Sequence, residues 1–315
     1  MPHVTFIHGI ANKPAQGKLL DLWTRALSHD NGLDLGAEGV TTSMIYWADV
    51  YYENPLDDEP GYENSELSES LDLALRRQEP EPEVRLSEAQ SAGEAAWVAT
   101  LATKLNFAAL VDETVSPPES EIGPEYERIP LPGWVKRWMM KTLLRDVHHY
   151  LFDAEFSPRP GDSYRVQEEI RSRFIAALQE GASKPGPHII VSHSMGTVIS
   201  YDCLKRVPEC PRVDGLITVG SPLGLDEIQD QLQPEWTRHD GFPNARLAGK
   251  WVNVYDSLDP VAGLDPNFAN DYRRNGESIV TDINEQNWGK WRHDITKYLG
   301  GSKLRASLSD MLGLG

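Results

Sequence analysis

The amino-acid sequence predicts an α/β fold, with a mostly parallel, doubly wound sheet flanked by helices. Short apolar runs typical of buried strands alternate with stretches whose apolar residues recur every three to four positions, and this alternation is typical of parallel β-α-β units. One of these strands, at 188–193, leads directly into a tight turn and a helical pattern. A chain of 315 residues can bury one large core, or one core plus an insertion.

Apolar patterns place strands and helices in alternation along most of the chain. A buried strand at 4–10 is followed by a helix at 17–29, whose Leu19, Trp23 and Leu27 share one side, and by a strand at 41–47. Farther along, the predicted elements are a helix at 162–180, a strand at 188–193, a helix at 195–206, and strands at 213–219 and 250–256. We therefore place the core at 1–50 and 161–315, with an insertion at 51–160 where the alternation stops.

The insertion is acidic and partly helical. Residues 53–88 carry twelve acids and three arginines. Their net charge of −9 is half of the −18 of the whole chain. Two helical patterns follow, at 92–111 and 133–152. The second has two faces: an apolar one with Val135, Met139, Leu143, Val147 and Leu151, and a basic one with Lys136, Arg137, Lys141 and Arg145. It is interpreted as a helix packed on the core or a cap or lid over the site, with peripheral contact to an anionic membrane as the alternative.

The segment Ser192-His193-Ser194-Met195-Gly196 joins the strand at 188–193 to the helix at 195–206. A sharp strand-to-helix turn of this kind lifts the central Ser clear of the sheet, over a helix N-terminus. Close approach of the strand and the helix needs small residues two positions before and two positions after this central Ser. Ser192 occupies the first of these positions, where Gly is usual. Ser194 is therefore predicted as a nucleophile, with helix capping as the alternative.

These residues resemble the α/β-hydrolase superfamily, and most nearly bacterial serine esterases and lipases. The resemblance is carried by the opening strand that ends in His8-Gly9-Ile10, by the turn at Ser194, and by Val219 to Gly224. It covers roughly 1–50 and 161–299, and not 51–160. It implies the α/β-hydrolase fold, with an eight-strand-type sheet, and hydrolysis of a carboxylic ester or related acyl bond.

In this fold the catalytic residues follow one another in the order Ser, acid, His. Only His239 and His293 follow Ser194 in the chain, and Asp259 comes just after the strand at 250–256. Because only His293 lies beyond Asp259, these two residues are predicted as base and acid.

Each of these assignments has an alternative. Asp256 is a second candidate for the acid, and Asp259 also suits a turn before Pro260. His293 also suits a surface position that caps the next helix.

An oxyanion hole needs two backbone N–H groups. One comes from the residue after the nucleophile, Met195, and the other from the loop after an early strand, where Gly9 allows a sharp turn and directs the Ile10 N–H into the site. Five further residues are assigned to the substrate pocket or its surroundings: His8, Gly9, His193, Trp134 and Trp138.

Composition excludes several other classes of protein. A net charge of −18 argues against a nucleic-acid partner, and two cysteines do not make a disulfide framework. The chain enters its first strand within four residues, without a signal-like segment or a long apolar stretch, so we expect a cytoplasmic protein. The adjacent His148 and His149 point in different directions along a helix, and we expect no metal site and no cofactor.

The sequence thus predicts a serine hydrolase that cleaves a small-molecule ester or a lipid through an acyl-enzyme on Ser194. A thioesterase or acyltransferase with the same triad is one alternative. A non-catalytic hydrolase-fold module, whose acidic insertion binds a basic partner, is another.

Overall fold

A computed structural model describes residues 1–56, 86–110, 133–287 and 292–314, without the side chains of 107–110 and 133–136. Its strands are β1 (His3–Ile7), β2 (Thr41–Ile45), β3 (Glu155–Arg159), β4 (Asp162–Arg165), β5 (His188–His193), β6 (Val213–Val219), β7 (Leu247–Tyr255) and β8 (Thr281–Asn284). The described part of the chain forms a six-stranded sheet in the order β2-β1-β5-β6-β7-β8, and every neighbouring pair is parallel. This confirms the predicted α/β class with a parallel sheet, although the resemblance implied eight strands.

Helices cover both faces of the sheet. They are α1 (Gln16–Ser28), α2 (Ala92–Leu110), α3 (Gly133–Leu151), α4 (Val166–Ala182), α5 (Met195–Arg206), α6 (Asp226–Gln231), α7 (Ile295–Gly300) and α8 (Ser302–Leu312). Side chains of α1, α7 and α8 share one buried cluster, and those of α2 to α6 share another. Along β5, Ile189 and Val191 join the first cluster and Ile190 the second, because successive side chains of a strand point to opposite faces. Burial on both faces explains the unbroken apolar run Ile189-Ile190-Val191 in β5.

The strand at 188–193, the helix at 195–206 and the strand at 213–219 have the predicted bounds. The helix predicted at 162–180 instead begins at Val166, because 162–165 pairs with 155–159 in the antiparallel hairpin of β3 and β4. Gly161, at φ +91°, allows the tight turn between these strands. The predicted boundary between insertion and core therefore falls inside this hairpin.

The parallel sheet gathers the candidate site at one edge. The loops that carry Ile10, Ser194 and Asp259 follow the carboxyl ends of β1, β5 and β7. The chain runs from β1 to β2 on one side, and β5 lies on the other side of β1, so the topological switch point lies between β1 and β5. Ligands of open α/β sheets bind in the crevice at such a point.

The insertion is anchored to the core through α2 and α3. In α2, the Trp97 Nε1–H donates to the Glu227 carbonyl at 2.6 Å, and Lys104 Nζ contacts the Glu227 carboxylate at 2.8 Å. In α3, Met139, Leu143 and Val147 are buried in the same cluster as α4 and α5. This supports core packing of α3. None of the described helices combines the length and the apolar character needed to cross a membrane.

Arg145 departs from the exposed basic face expected for α3. Its side chain is buried, pairs with Asp146 at 2.6 Å, and lies over the rings of Tyr51 and Tyr52 at 4.6 and 5.4 Å. A guanidinium is weakly hydrated and stacks on aromatic faces, so it tolerates this setting when a carboxylate is adjacent. The helix therefore contributes a buried ion pair from a residue that the sequence places on its basic face.

Candidate active site

Ser194 lies at a strained junction between β5 and α5. Its φ of +52° and ψ of −125° lie outside the regions that non-glycine residues usually adopt. The Ser194 N–H donates to the Val219 carbonyl at 2.9 Å, which ties the turn to β6. A Cβ atom on Gly196 would lie 2.7 Å from the His8 carbonyl oxygen, so this position requires glycine.

Ser192 replaces the usual glycine at the other side of the turn without disturbing it. Its side chain is buried, and its hydroxyl donates to the Ile217 carbonyl at 3.1 Å. The neighbouring strand β6 thus satisfies the extra polar group.

The structure brings Ser194, His293 and Asp259 into one hydrogen-bonded chain. His293 Nε2 lies 2.9 Å from Ser194 Oγ, and His293 Nδ1 lies 2.8 Å from Asp259 Oδ2. Because an ionised carboxylate only accepts hydrogen bonds, Nδ1 carries the proton in this arrangement and Nε2 is left to accept from the Ser194 hydroxyl. The three side chains are thus arranged as a nucleophile, a base and the group that orients the base.

Asp259 is buried within a dense set of donors. Its Oδ1 accepts from the Val261 and Ala262 N–H groups at 2.8 and 3.1 Å, and its Oδ2 accepts from the Tyr298 hydroxyl at 2.7 Å. Burial alone would raise the pKa of Asp259, but the His293 ring and the accepted hydrogen bonds outweigh it and hold that pKa below its ordinary value. The carboxylate facing His293 is therefore ionised at neutral pH.

Asp256, the alternative acid, occupies a different position. Its Oδ2 accepts from the Asn287 N–H at 2.8 Å and from Arg292 Nη1 at 3.0 Å, and its Oδ1 accepts from the Leu258 N–H at 2.7 Å. These contacts join both ends of the segment that leads to His293. Of the two carboxylates, Asp259 contacts the histidine, whereas Asp256 holds the loop.

The two amides predicted for the oxyanion hole border Ser194. Met195 is the first residue of α5, and the N–H groups of the first helical turn have no acceptor within their helix. A Cβ atom on Gly9 would lie 2.7 Å from Ser194 Cβ and 3.3 Å from Ser194 Oγ, so the Gly9-Ile10 backbone passes directly against the hydroxyl. Neither the Ile10 nor the Met195 N–H donates to an acceptor among the described residues.

His8 contacts the loop that carries Gly9 and Ile10. Its Nδ1–H donates to the Gly9 carbonyl at 2.8 Å, and its Nε2 accepts from the Trp47 N–H at 3.0 Å. Burial first, then the nearby Lys13 ammonium, lowers the pKa of His8 to about 3. The ring is therefore neutral, and both of its nitrogens are engaged by the backbone.

His193 lies against the candidate base. Its Nε2–H donates to the His293 carbonyl at 3.0 Å, and the two rings are 4.7 Å apart. Burial first, then the neighbouring His293, lowers the pKa of His193 well below its ordinary value. His193 thus provides a neutral contact that positions the His293 backbone.

For the two tryptophans assigned to the pocket, the structure gives the burial of Trp138 alone. Trp138 is 7% exposed and belongs to the buried cluster that also contains Ile10 and Met195. The side chain of Trp134 lies outside the described residues, as do Trp288 and Trp291.

Sequence reasoning missed two residues of the site. Gly220, at φ +55°, lies so close that a Cβ atom there would be 3.1 Å from both His293 and Asp259, and its signal was the glycine at the end of a predicted strand. Tyr298 donates to Asp259 from α7, a contact between segments that no local pattern predicts.

The two side chains are buried: Ser194 is 0% and His293 2% exposed. Within the described ranges, no group of three or more His, Cys, Asp or Glu side chains is placed to hold a metal ion.

No known protein family matches the chain, and no curated protein matches it. What the site does is therefore inferred from its geometry and chemistry.

Proposed function

We propose that this protein is a serine hydrolase that cleaves carboxylic esters through an acyl-enzyme on Ser194. The observation that carries the proposal is the continuous chain from Ser194 through His293 to Asp259, with contacts of 2.9 and 2.8 Å. The strained backbone of Ser194 at the junction of β5 and α5 is the second support, because it aims the hydroxyl at the base.

In the first half of the reaction, Ser194 Oγ attacks the acyl carbonyl carbon while its proton passes to His293 Nε2. Asp259 stabilises the imidazolium that forms and keeps its ring in the required orientation. The negative charge on the carbonyl oxygen is stabilised by the Ile10 and Met195 N–H groups. Collapse of this intermediate breaks the bond to the leaving alkoxide, which takes the proton from His293 Nε2.

In the second half, water attacks the acyl-enzyme carbonyl and gives its proton to His293. Collapse of the new intermediate breaks the bond to Ser194 Oγ, which takes the proton back, and the carboxylic acid leaves. The same steps cleave a thioester, which makes a thioesterase one alternative. With an acceptor alcohol in place of water they transfer the acyl group, which makes an acyltransferase another.

Access to the site involves the insertion. Apolar side chains of α2 and α3, among them Trp97, Leu101 and Met139, lie in the buried cluster that contains Ile10 and Met195. A lid formed by these helices would suit a small-molecule ester or lipid with an acyl chain, because ligand sites are mostly lined by apolar groups.

The test is hydrolysis of nitrophenyl esters from acetyl to palmitoyl, with an acyl thioester and an alcohol acceptor as additional arms. Ser194→Ala should abolish turnover, because the nucleophile is removed. Ser200→Ala is the matched control: Ser200 is buried on the same helix, and its hydroxyl has no partner among the described residues. Equal turnover by wild type and Ser194→Ala would refute the proposal, and no turnover by a folded wild type would favour a binding module.

A further inference from the structure

We propose that Tyr298 is a positioning residue for the acid Asp259. In this role, which rests on the proposed function, it holds the carboxylate against His293 and thereby sets the rate and the acid limit of the reaction. Tyr298 lies on α7, five residues after the base, and it is fully buried.

The hydrogen bonds of Tyr298 have only one possible direction. Its hydroxyl oxygen lies 2.9 Å from the Asp256 N–H and 2.7 Å from Asp259 Oδ2. A backbone N–H can only donate, so the phenol oxygen accepts from Asp256. Its own proton is therefore directed to the carboxylate of Asp259.

This arrangement connects the two segments that carry the acid and the base. The phenol contacts both ends of the turn from Asp256 to Asp259, while its helix begins directly after His293. Asp294 starts that helix by accepting from the Thr296 N–H at 2.9 Å. Tyr298 thus fixes the distance between the two segments as well as the rotation of the carboxylate.

The phenol also acts on the charge of the acid. Hydrogen bonds from Tyr298 and the other donors, together with the His293 ring, hold the pKa of Asp259 below its ordinary value despite burial. Burial, followed by the charges of Asp259 and Asp256, raises the pKa of Tyr298 well above its ordinary value. Tyr298 is therefore a neutral donor throughout the working pH range.

Other titratable or charged groups also surround the base, and they differ in how they are held. Asp256 is paired with Arg292, and His193 is neutral and fixed on the His293 carbonyl. The groups near His293 on the elements packed around it are Asp256, Asp259, Arg292, Asp294, Tyr298, His193 and, next to His193, Lys13. Tyr298→Phe removes the phenol hydroxyl and leaves all the other groups in place.

Tyr298→Phe should therefore have a specific signature. Asp259 Oδ2 loses a donor and becomes more basic, so the acid limb of the kcat/KM profile moves to higher pH by roughly half a unit to one unit. The carboxylate is also less well held, and kcat at the optimum should fall by about three- to ten-fold. A role confined to folding would lower the thermal stability without moving the acid limb.

The experiment compares wild type, Tyr298→Phe and Tyr150→Phe by pH–rate profiles on a nitrophenyl ester and by the ¹H NMR signal of the His293 Nδ1 proton, which lies in the hydrogen bond to Asp259. Tyr150→Phe is the matched control, because Tyr150 is also buried and donates to a buried carboxylate, that of Asp202, at 2.7 Å. This NMR signal should move in Tyr298→Phe and keep its wild-type position in Tyr150→Phe.

An unchanged Nδ1 signal and unchanged pH–rate profiles in a folded Tyr298→Phe variant would overturn the inference, as would an equal change in Tyr150→Phe. The NMR signal decides the role of Tyr298, whereas turnover that depends on Ser194 decides the proposed function. The two can therefore fail separately.

Discussion

Ser194 keeps a backbone conformation that costs about 1–3 kcal/mol in a non-glycine residue and persists only where the surrounding structure fixes it. Its N–H donates to the Val219 carbonyl, and its own carbonyl accepts from the Thr197 N–H, both at 2.9 Å. The Thr197 hydroxyl also donates to the Ser194 carbonyl at 2.6 Å. The strain is thus held by hydrogen bonds to β6 and within α5, and it keeps the hydroxyl directed at His293.

Two neighbouring carboxylates, Asp259 and Asp256, have different roles in this account, and the same substitution separates them. Asp259→Asn should lower kcat by roughly 10³–10⁴-fold, because an amide no longer holds the required tautomer of the base. Asp256→Asn should cost about ten-fold or less, because it weakens only the contacts to Arg292 and Asn287 that hold the loop. Steady-state kinetics on folded variants measures both effects, and the reverse order of severity would contradict the assignment of the acid.

The ion pair between Arg145 and Asp146 places α3 beside the loop that follows β1. Asp146 is fully buried, and its carboxylate lies near the Ala11 N–H and the Lys13 ammonium. The Lys13 ammonium in turn donates to the Ile10 carbonyl at 2.7 Å. This helix of the insertion is therefore connected to the backbone that would hold the oxyanion.

Asp146→Ala should destabilise the protein by about 3–5 kcal/mol, because it leaves the Arg145 guanidinium buried without its partner. The matched control is Asp21→Ala, which removes the acid of an exposed helical pair with Arg25 at 2.6 Å and should cost less than about 1 kcal/mol. Urea unfolding measures both free energies. Similar values for the two variants would show that the buried pair has no special role.

The sequence predicted the elements around Ser194 better than the contacts between them. The strand at 188–193 and the helix at 195–206 have strong apolar patterns, and the structure has them with those bounds. The hairpin around Pro160 and Gly161 was missed because its strands are short and partly exposed, although a Pro-Gly pair is a turn signal. Tyr298 was missed because its partners, Asp256 and Asp259, come from a distant segment, which local periodicity does not encode. The burial of Arg145 was missed for the same reason, because the rings of Tyr51 and Tyr52 that cover it lie far away in the chain.

The whole molecule should lose stability as the pH falls, because several histidines are buried in their neutral form. Burial is the first cause in each case, lowering the pKa of His8 and His149 to about 3 and that of His188 to about 4, and that of His193 well below its ordinary value. The unfolded chain would bind protons at these histidines near pH 6.5, whereas the folded chain would not. Each such histidine lowers the free energy of unfolding by up to about 1.4 kcal/mol per pH unit below pH 6.5.

This loss is measured by urea unfolding between pH 7.5 and 5.5, and calorimetry in buffers of different ionisation enthalpy counts the protons taken up on unfolding. The expected result is a stability that falls over this range together with net proton uptake. A stability that stays constant or rises as the pH falls would contradict the buried neutral state of these histidines.

Reaction with a fluorophosphonate asks whether Ser194 is a nucleophile activated by His293, and it needs no natural substrate. Intact mass spectrometry should show one adduct per chain, peptide mapping should place it on Ser194, and His293→Ala should slow its formation. Ser194→Ala should prevent the adduct, whereas Ser200→Ala should form it as the wild type does. A folded wild type that forms no adduct, or forms it on another residue, would contradict this role of Ser194.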